Sequence, residues 1–131
     1  MALQVALVSP ERTLFTGEAT FVTARAAEGD ITFLAGHAPY IGVLDIGVVR
    51  IRLTDGTEET AAVHGGFVEV FDNRVIVLSD AAELASQIDA ERARRAQDDA
   101  ESQLRQDHNA EAEAALRRAH VRLEVAGTAR V

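Results

Sequence analysis

Val48-Val49-Arg50-Ile51-Arg52-Leu53 runs into Thr54-Asp55-Gly56-Thr57, and Glu58-Glu59-Thr60-Ala61-Ala62-Val63-His64 follows. The first stretch alternates apolar and charged side chains. Successive side chains of a strand point to opposite faces, so a period of two marks a strand with one wet face. Asp-Gly supplies the positive φ angles that a tight hairpin turn requires. Working outward, the runs Gln4–Val8, Ala19–Arg25, Ile31–Leu34 and Tyr40–Leu44 precede this hairpin, and Phe67–Phe71 and Arg74–Leu78 follow it. Asp72-Asn73 separates the last two as a second turn. Eight short strands at close spacing predict a β-sandwich or small barrel.

Composition changes beyond this region. Residues 1–80 hold eight of the nine glycines and both prolines, whereas residues 81–131 hold 14 of the 24 alanines. Glycine and proline punctuate turns, and alanine is the strongest helix former, so the last 50 or so residues read as helix. Ser86-Gln87-Ile88-Asp89 fits a capping box. An apolar stripe then runs through Ile88, Ala93, Ala96, Ala100 and Leu104. Asp107-His108-Asn109 interrupts it, with Asn109 placed to cap a second helix. The second stripe is Ala112, Ala115, Leu116, Ala119, Leu123 and Ala126, and Gly127 is the expected stop. Two stripes joined by a short loop predict an antiparallel helical hairpin. Alanine lets helix backbones approach but buries little area, so such a hairpin is weakly held and suited to an arm that opens; the alternative is that the alanine richness reflects genome composition alone.

The chain of 131 residues is 47% apolar and 26% charged, within the range of globular proteins. No stretch approaches the ~18 consecutive apolar residues of a membrane span. Met1 to Ser9 lacks the positive charge and apolar core of a secretion signal. There is no cysteine, which removes thiolate chemistry and sulfur-ligated metals. All 13 basic residues are arginine, which removes Schiff-base lysines and the lysine of a P-loop. A net charge of −8 argues against a nucleic-acid surface. His64-Gly65-Gly66 lacks any serine in a Gly-x-Ser-x-Gly elbow, so it is not a hydrolase loop. The four histidines share no ligand spacing.

Gly36-His37-Ala38-Pro39 followed by Ile41-Gly42-Val43-Leu44 resembles the signature of the F-type ATP synthase epsilon subunit family, bacterial type. Glu28-Gly29-Asp30-Ile31 before it, and Gly65-Gly66-Phe67-Val68-Glu69-Val70 and Arg74-Val75-Ile76-Val77-Leu78-Ser79 after it, agree in order. Leu7-Val8-Ser9-Pro10-Glu11-Arg12 and Leu14-Phe15-Thr16-Gly17 also match, so the resemblance covers essentially the whole chain. It implies an α+β fold: an N-terminal β-sandwich of about ten strands over residues 1–84, then a C-terminal two-helix hairpin over 85–131. It also implies a non-catalytic rotor subunit of the central stalk, peripheral on the cytoplasmic face of the cell membrane. Its implied partners are the gamma subunit, the membrane rotor ring, and the alpha and beta subunits that carry catalysis.

In many bacterial members the hairpin opens and its last helix inhibits ATP hydrolysis, using basic residues against an acidic segment of beta. The resemblance therefore points to Arg117, Arg118 and Arg122 as inhibitory contacts. Residues 86 to 126 would reach roughly 60 Å as extended helix at ~1.5 Å per residue. The alternative is a solvated face with pairs such as Glu113–Arg117. No cofactor is required, but some members bind regulatory ATP at the folded hairpin through Ile/Leu-Asp-x-x-Arg-Ala, matched by Ile88-Asp89-Ala90-Glu91-Arg92-Ala93. Glu83, Asp89, Arg92, Arg118 and Arg122 are the residues this implies for ATP. Guanidinium forks suit phosphate oxygens, and a carboxylate can accept from the adenine amine or a ribose hydroxyl. Asp99 reverses a charge where ATP-binding members carry arginine, and Arg95 lies one turn earlier. Asp89 equally completes the Ser86 capping box. By resemblance, Asp30 and His37 lie on loops facing the rotor ring; the alternatives are a turn residue after Gly29 for Asp30 and a buried, hydrogen-bonded side chain for His37. The competing function is a freestanding nucleotide-sensing β-sandwich with a helical lid.

Overall fold

The computed structural model describes residues 2–128. Seven strands come first: β1 (Leu3–Val8), β2 (Thr13–Ala26), β3 (Gly29–Leu34), β4 (Tyr40–Leu53), β5 (Glu58–Phe71), β6 (Arg74–Leu78) and β7 (Ala82–Leu84). A 3₁₀ turn at Ala85–Gln87 leads into helices α1 (Ala90–Gln106) and α2 (Ala110–Thr128). The strands pair in the order β1-β6-β5-β4-β2-β3, with β7 on β5. β1 also pairs with β2, which closes five strands into a barrel-like sandwich. Closure leaves few unpaired edges.

The count is seven, not about ten, because β2, β4 and β5 are 14 residues each and run through both layers. Tyr40–Leu44 and Val48–Leu53 are one strand, as are Glu58–His64 and Phe67–Phe71. A single register carries β4 against β5 from Tyr40↔Val70 to Arg52↔Glu58. The interruptions read from the sequence are bends. Gly65 and Gly66 have φ of 92° and 127°, and a Cβ on Gly66 would stand 2.1 Å from the Leu78 carbonyl oxygen. Glycine is needed there for conformation and space together. β7 was not expected, because three residues carry no periodicity.

The core is drawn from the strands alone. Leu3, Leu7, Val22, Phe33, Ile51, Val68 and Val77 are among its fully buried members. The hairpin stands outside it. Ala61 and Val63 of β5 face the core, whereas Ala62 between them is buried without belonging to it.

α1 begins three residues later than a Ser86 cap requires. Ile88 is extended, and Asp89 is the N-cap, its Oδ1 accepting from the Arg92 N–H at 3.1 Å. Ser86 lies in the 3₁₀ turn, where the Gln87 side chain accepts from the Leu84 N–H instead. Asn109 accepts from the Ala112 N–H at 2.8 Å, as expected of a cap. α2 continues through Gly127 to Thr128 rather than stopping at the glycine. The buried alanines repeat every seven residues: Ala93 and Ala100 on α1, and Ala112, Ala119 and Ala126 on α2.

Candidate functional site

The most chemically loaded place is where α2, β7 and the start of α1 meet. Glu83, Gln87, Asp89, Arg92, Ala93, Ala96 and Arg122 line a cavity of about 400 Å³. Glu83 is its hub. The carboxylate accepts from Arg122 Nε at 2.5 Å and lies 3.3 Å from His64 Nε2. The His64 side chain is only 2% exposed. Its Nδ1 is buried with no hydrogen-bond partner among the described residues. Burial, and secondarily the Arg122 and Arg118 charges, hold the imidazole below its ordinary pKa against the opposing pull of Glu83.

Four of the five residues expected at a nucleotide are thus brought together: Glu83, Asp89, Arg92 and Arg122. Arg118 is not. It binds Glu111 at 2.9 Å, two turns back on its own helix, and does not line the cavity. Asp89 already serves as a cap, whereas Arg92 makes no ion pair among the described residues. Neither Asp99 nor Arg95 lines the cavity, so the reversed charge and its expected compensation both fall away from it.

Each arginine of the α2 cluster has a carboxylate partner: Arg117 with Asp45 (3.3 Å), Arg118 with Glu111, and Arg122 with Glu83. The Glu113–Arg117 pair does not form, because Glu113 is taken by His108 at 2.6 Å. Sequence reading missed His64, Asp45 and Glu111. These partners are remote in sequence or two turns away, and no local spacing announces them.

Asp30 and His37 stand at opposite ends of β3, so they do not share one loop surface. The reason is simple: six residues of extended chain at ~3.3 Å each lie between the two loops. Asp30 pairs with Arg25 at 3.3 Å next to the turn joining β2 and β3. His37 packs edge-on to Phe33 at 5.1 Å, and the neighbouring Gly36 N–H donates to Asn73.

A second surface lies on the layer that the hairpin leaves uncovered. Register places Val43, Phe67 and Leu78 in one row across β4, β5 and β6, with Ile41, Glu69 and Ile76 in the next. Ile41 is 72% exposed and Phe67 54%. The pocket formed by Pro39, Tyr40, Ile41 and Phe71 continues this face to the His37 loop.

Residues 2–85 match the family described as "ATP synthase, Delta/Epsilon chain, beta-sandwich domain". Residues 86–127 match "ATP synthase, Delta/Epsilon chain, long alpha-helix domain". The chain belongs to the ATP synthase epsilon-chain family. The epsilon chain of Streptomyces coelicolor is 46% identical over 124 residues, covering 95% of this chain and 94% of the relative. That of Shouchella clausii is 40% identical over 126 residues, covering 95% and 94%. In the Euglena gracilis mitochondrial ATP synthase structure (OSCP/F1/c-ring), one chain shares the fold with a TM-score of 0.81. It is 24% identical, with 95% of this chain and 81% of that one covered. A chain in the Tetrahymena thermophila central stalk and c-ring structure gives a TM-score of 0.56 at 18% identity, with 100% and 98% covered. The boundary between the two epsilon-family segments falls inside the 3₁₀ turn Ala85–Gln87. The cavity therefore takes Glu83 from one segment and Asp89, Arg92 and Arg122 from the other.

Proposed function

We propose that this chain is a non-catalytic rotor subunit of the central stalk of an ion-translocating ATP synthase, restraining ATP hydrolysis through α2. The observation that carries the reading is the division of labour between the two outer faces of the sandwich. One is covered by the helical hairpin, and the other offers an apolar row for a partner. Contiguous exposed apolar surface marks an interaction site. We assign the row Val43, Phe67 and Leu78, with Ile41 beside it, to the gamma subunit. His37 goes with this face, because its loop adjoins Ile41 and Phe71. The turn bearing Glu28, with Asp30 beside it at the other end, is left for the membrane rotor ring. Such a subunit works peripherally at the cytoplasmic face of the cell membrane, against alpha and beta above the ring.

In the closed hairpin Arg117, Arg118 and Arg122 are each neutralised, which keeps them from an acidic surface until α2 leaves. Reconstitution of the complex tests both parts. A tagged chain should retain gamma, alpha and beta, and Phe67→Glu should lose them. Joint replacement of the three arginines by alanine should keep assembly and raise ATP hydrolysis. Unchanged hydrolysis removes the inhibitory role, and unaffected assembly in Phe67→Glu removes the gamma face.

Regulatory ATP is proposed at the Glu83–Arg122 cavity, with Arg92 on the phosphates and Glu83 toward the adenosine. Isothermal calorimetry of the full chain with ATP should show binding that Arg92→Ala abolishes. Equal heats from both would withdraw the site. The freestanding sensor loses ground because both segments match the epsilon family.

A further inference from the structure

The contact between hairpin and sandwich has an unusual makeup. Three ion pairs cross it, all from α2: Arg117–Asp45 at 3.3 Å, Glu124–Arg50 at 2.9 Å and Arg122–Glu83 at 2.5 Å. Their polarity is mixed. The sandwich supplies two anions and one cation, and the helix supplies the complement. Among the described residues α1 makes no ion pair with the strands, and its Arg94 pairs with its own Glu91. The apolar part of the seam is thin, since most buried hairpin side chains are alanines, with Val125 the larger exception. Beside the pairs runs an open cleft of about 360 Å³, bordered by Thr23, Asp45, Arg50, Arg117 and Glu124. The pairs are therefore wet, with side chains roughly a third to a half exposed.

We infer that these three pairs form an ionic latch, so that the hairpin is released from the sandwich by raised ionic strength. An interface held by apolar burial is unaffected or tightened by salt. One held by exposed ion pairs loosens, because the screening length falls from ~30 Å at 0.01 M to ~3 Å at 1 M. A few weak contacts acting together give a latch that is closed at rest yet opens at small cost. Releasing it also uncovers Asp45 and Glu83 on the sandwich and frees Arg117 and Arg122 on the helix. The inference concerns the chain itself and stands whether or not the freed helix inhibits hydrolysis.

The absence of cysteine makes the test clean. Glu28→Cys and Glu101→Cys place one fluorophore on the turn joining β2 and β3 and one on α1 of the full-length chain. Energy transfer then reports hairpin docking. Raising sodium chloride from about 0.01 M to about 1 M should increase the ratio of open to closed molecules by about an order of magnitude. Asp45→Asn, which keeps the acceptor for the Ile46 N–H, should raise that ratio about two- to fivefold at low salt. Glu124→Gln should do the same, and both should blunt the salt response. Asp45→Asn combined with Arg117→Gln should add little to either alone, the signature of one shared contact. Hydrogen exchange in β6 should stay constant throughout, which separates undocking from unfolding. Docking that salt leaves unchanged or tightens, or effects of Asp45→Asn and Arg117→Gln that simply add, would overturn the latch.

Discussion

His64 illustrates how a single side chain can tie the two parts of the molecule together. It sits on β5 beneath the hairpin, bonded to Glu83 and facing the charges of Arg118 and Arg122. Burial lowers its folded pKa below the 6.5 of the unfolded chain. Between those two values the unfolded state binds more protons, so stability falls as pH drops below 6.5. Above 6.5 both states are neutral and the contribution is fully present. The loss is at most about 1.4 kcal/mol per pH unit. Urea unfolding of the parent and of His64→Gln at pH 7.5 and pH 5.5 should show a steeper decline in the parent. Parallel declines would mean that the imidazole is not the titrating group. The sequence displays His64 only as a residue before two glycines, and its partners 19 and 58 positions away are invisible there.

Element boundaries were legible where local chemistry decides them. Asn109 was readable as a cap because its acceptor serves an N–H three residues on. The start of α1 was misplaced because Ser86 and Asp89 are both good caps in the same spacing. Gln87 settled the matter by bonding back to Leu84. Asp89 therefore carries the helix start, and Asp89→Ala should cost about 1 kcal/mol. Hydrogen exchange at Glu91, Arg92 and Ala93 should quicken in that variant and recover in Asp89→Asn, while β6 is unaffected. Gly65-Gly66 looks like a turn in sequence and divides β5 into two runs. It is a bend, since the pairing of β4 with β5 continues in register on both sides.

At the level of the whole molecule, the core excludes the hairpin, so the sandwich should stand without it. A chain ending at Gln87 should keep its strand circular dichroism and a cooperative urea transition, and loss of cooperativity would refute this. The isolated hairpin should unfold without a cooperative transition, because a seam faced mostly with alanine buries little area. By itself the sequence determined strands before helices, the tight turn at Asp55-Gly56, the Asn109 cap and the family, all of which depend on side chains close together in the chain. Only the tertiary structure decided that Glu83 meets His64, that Asp45 holds Arg117 and that Glu124 holds Arg50. Those contacts depend on how long, bent strands bring distant residues together, and no local pattern encodes that.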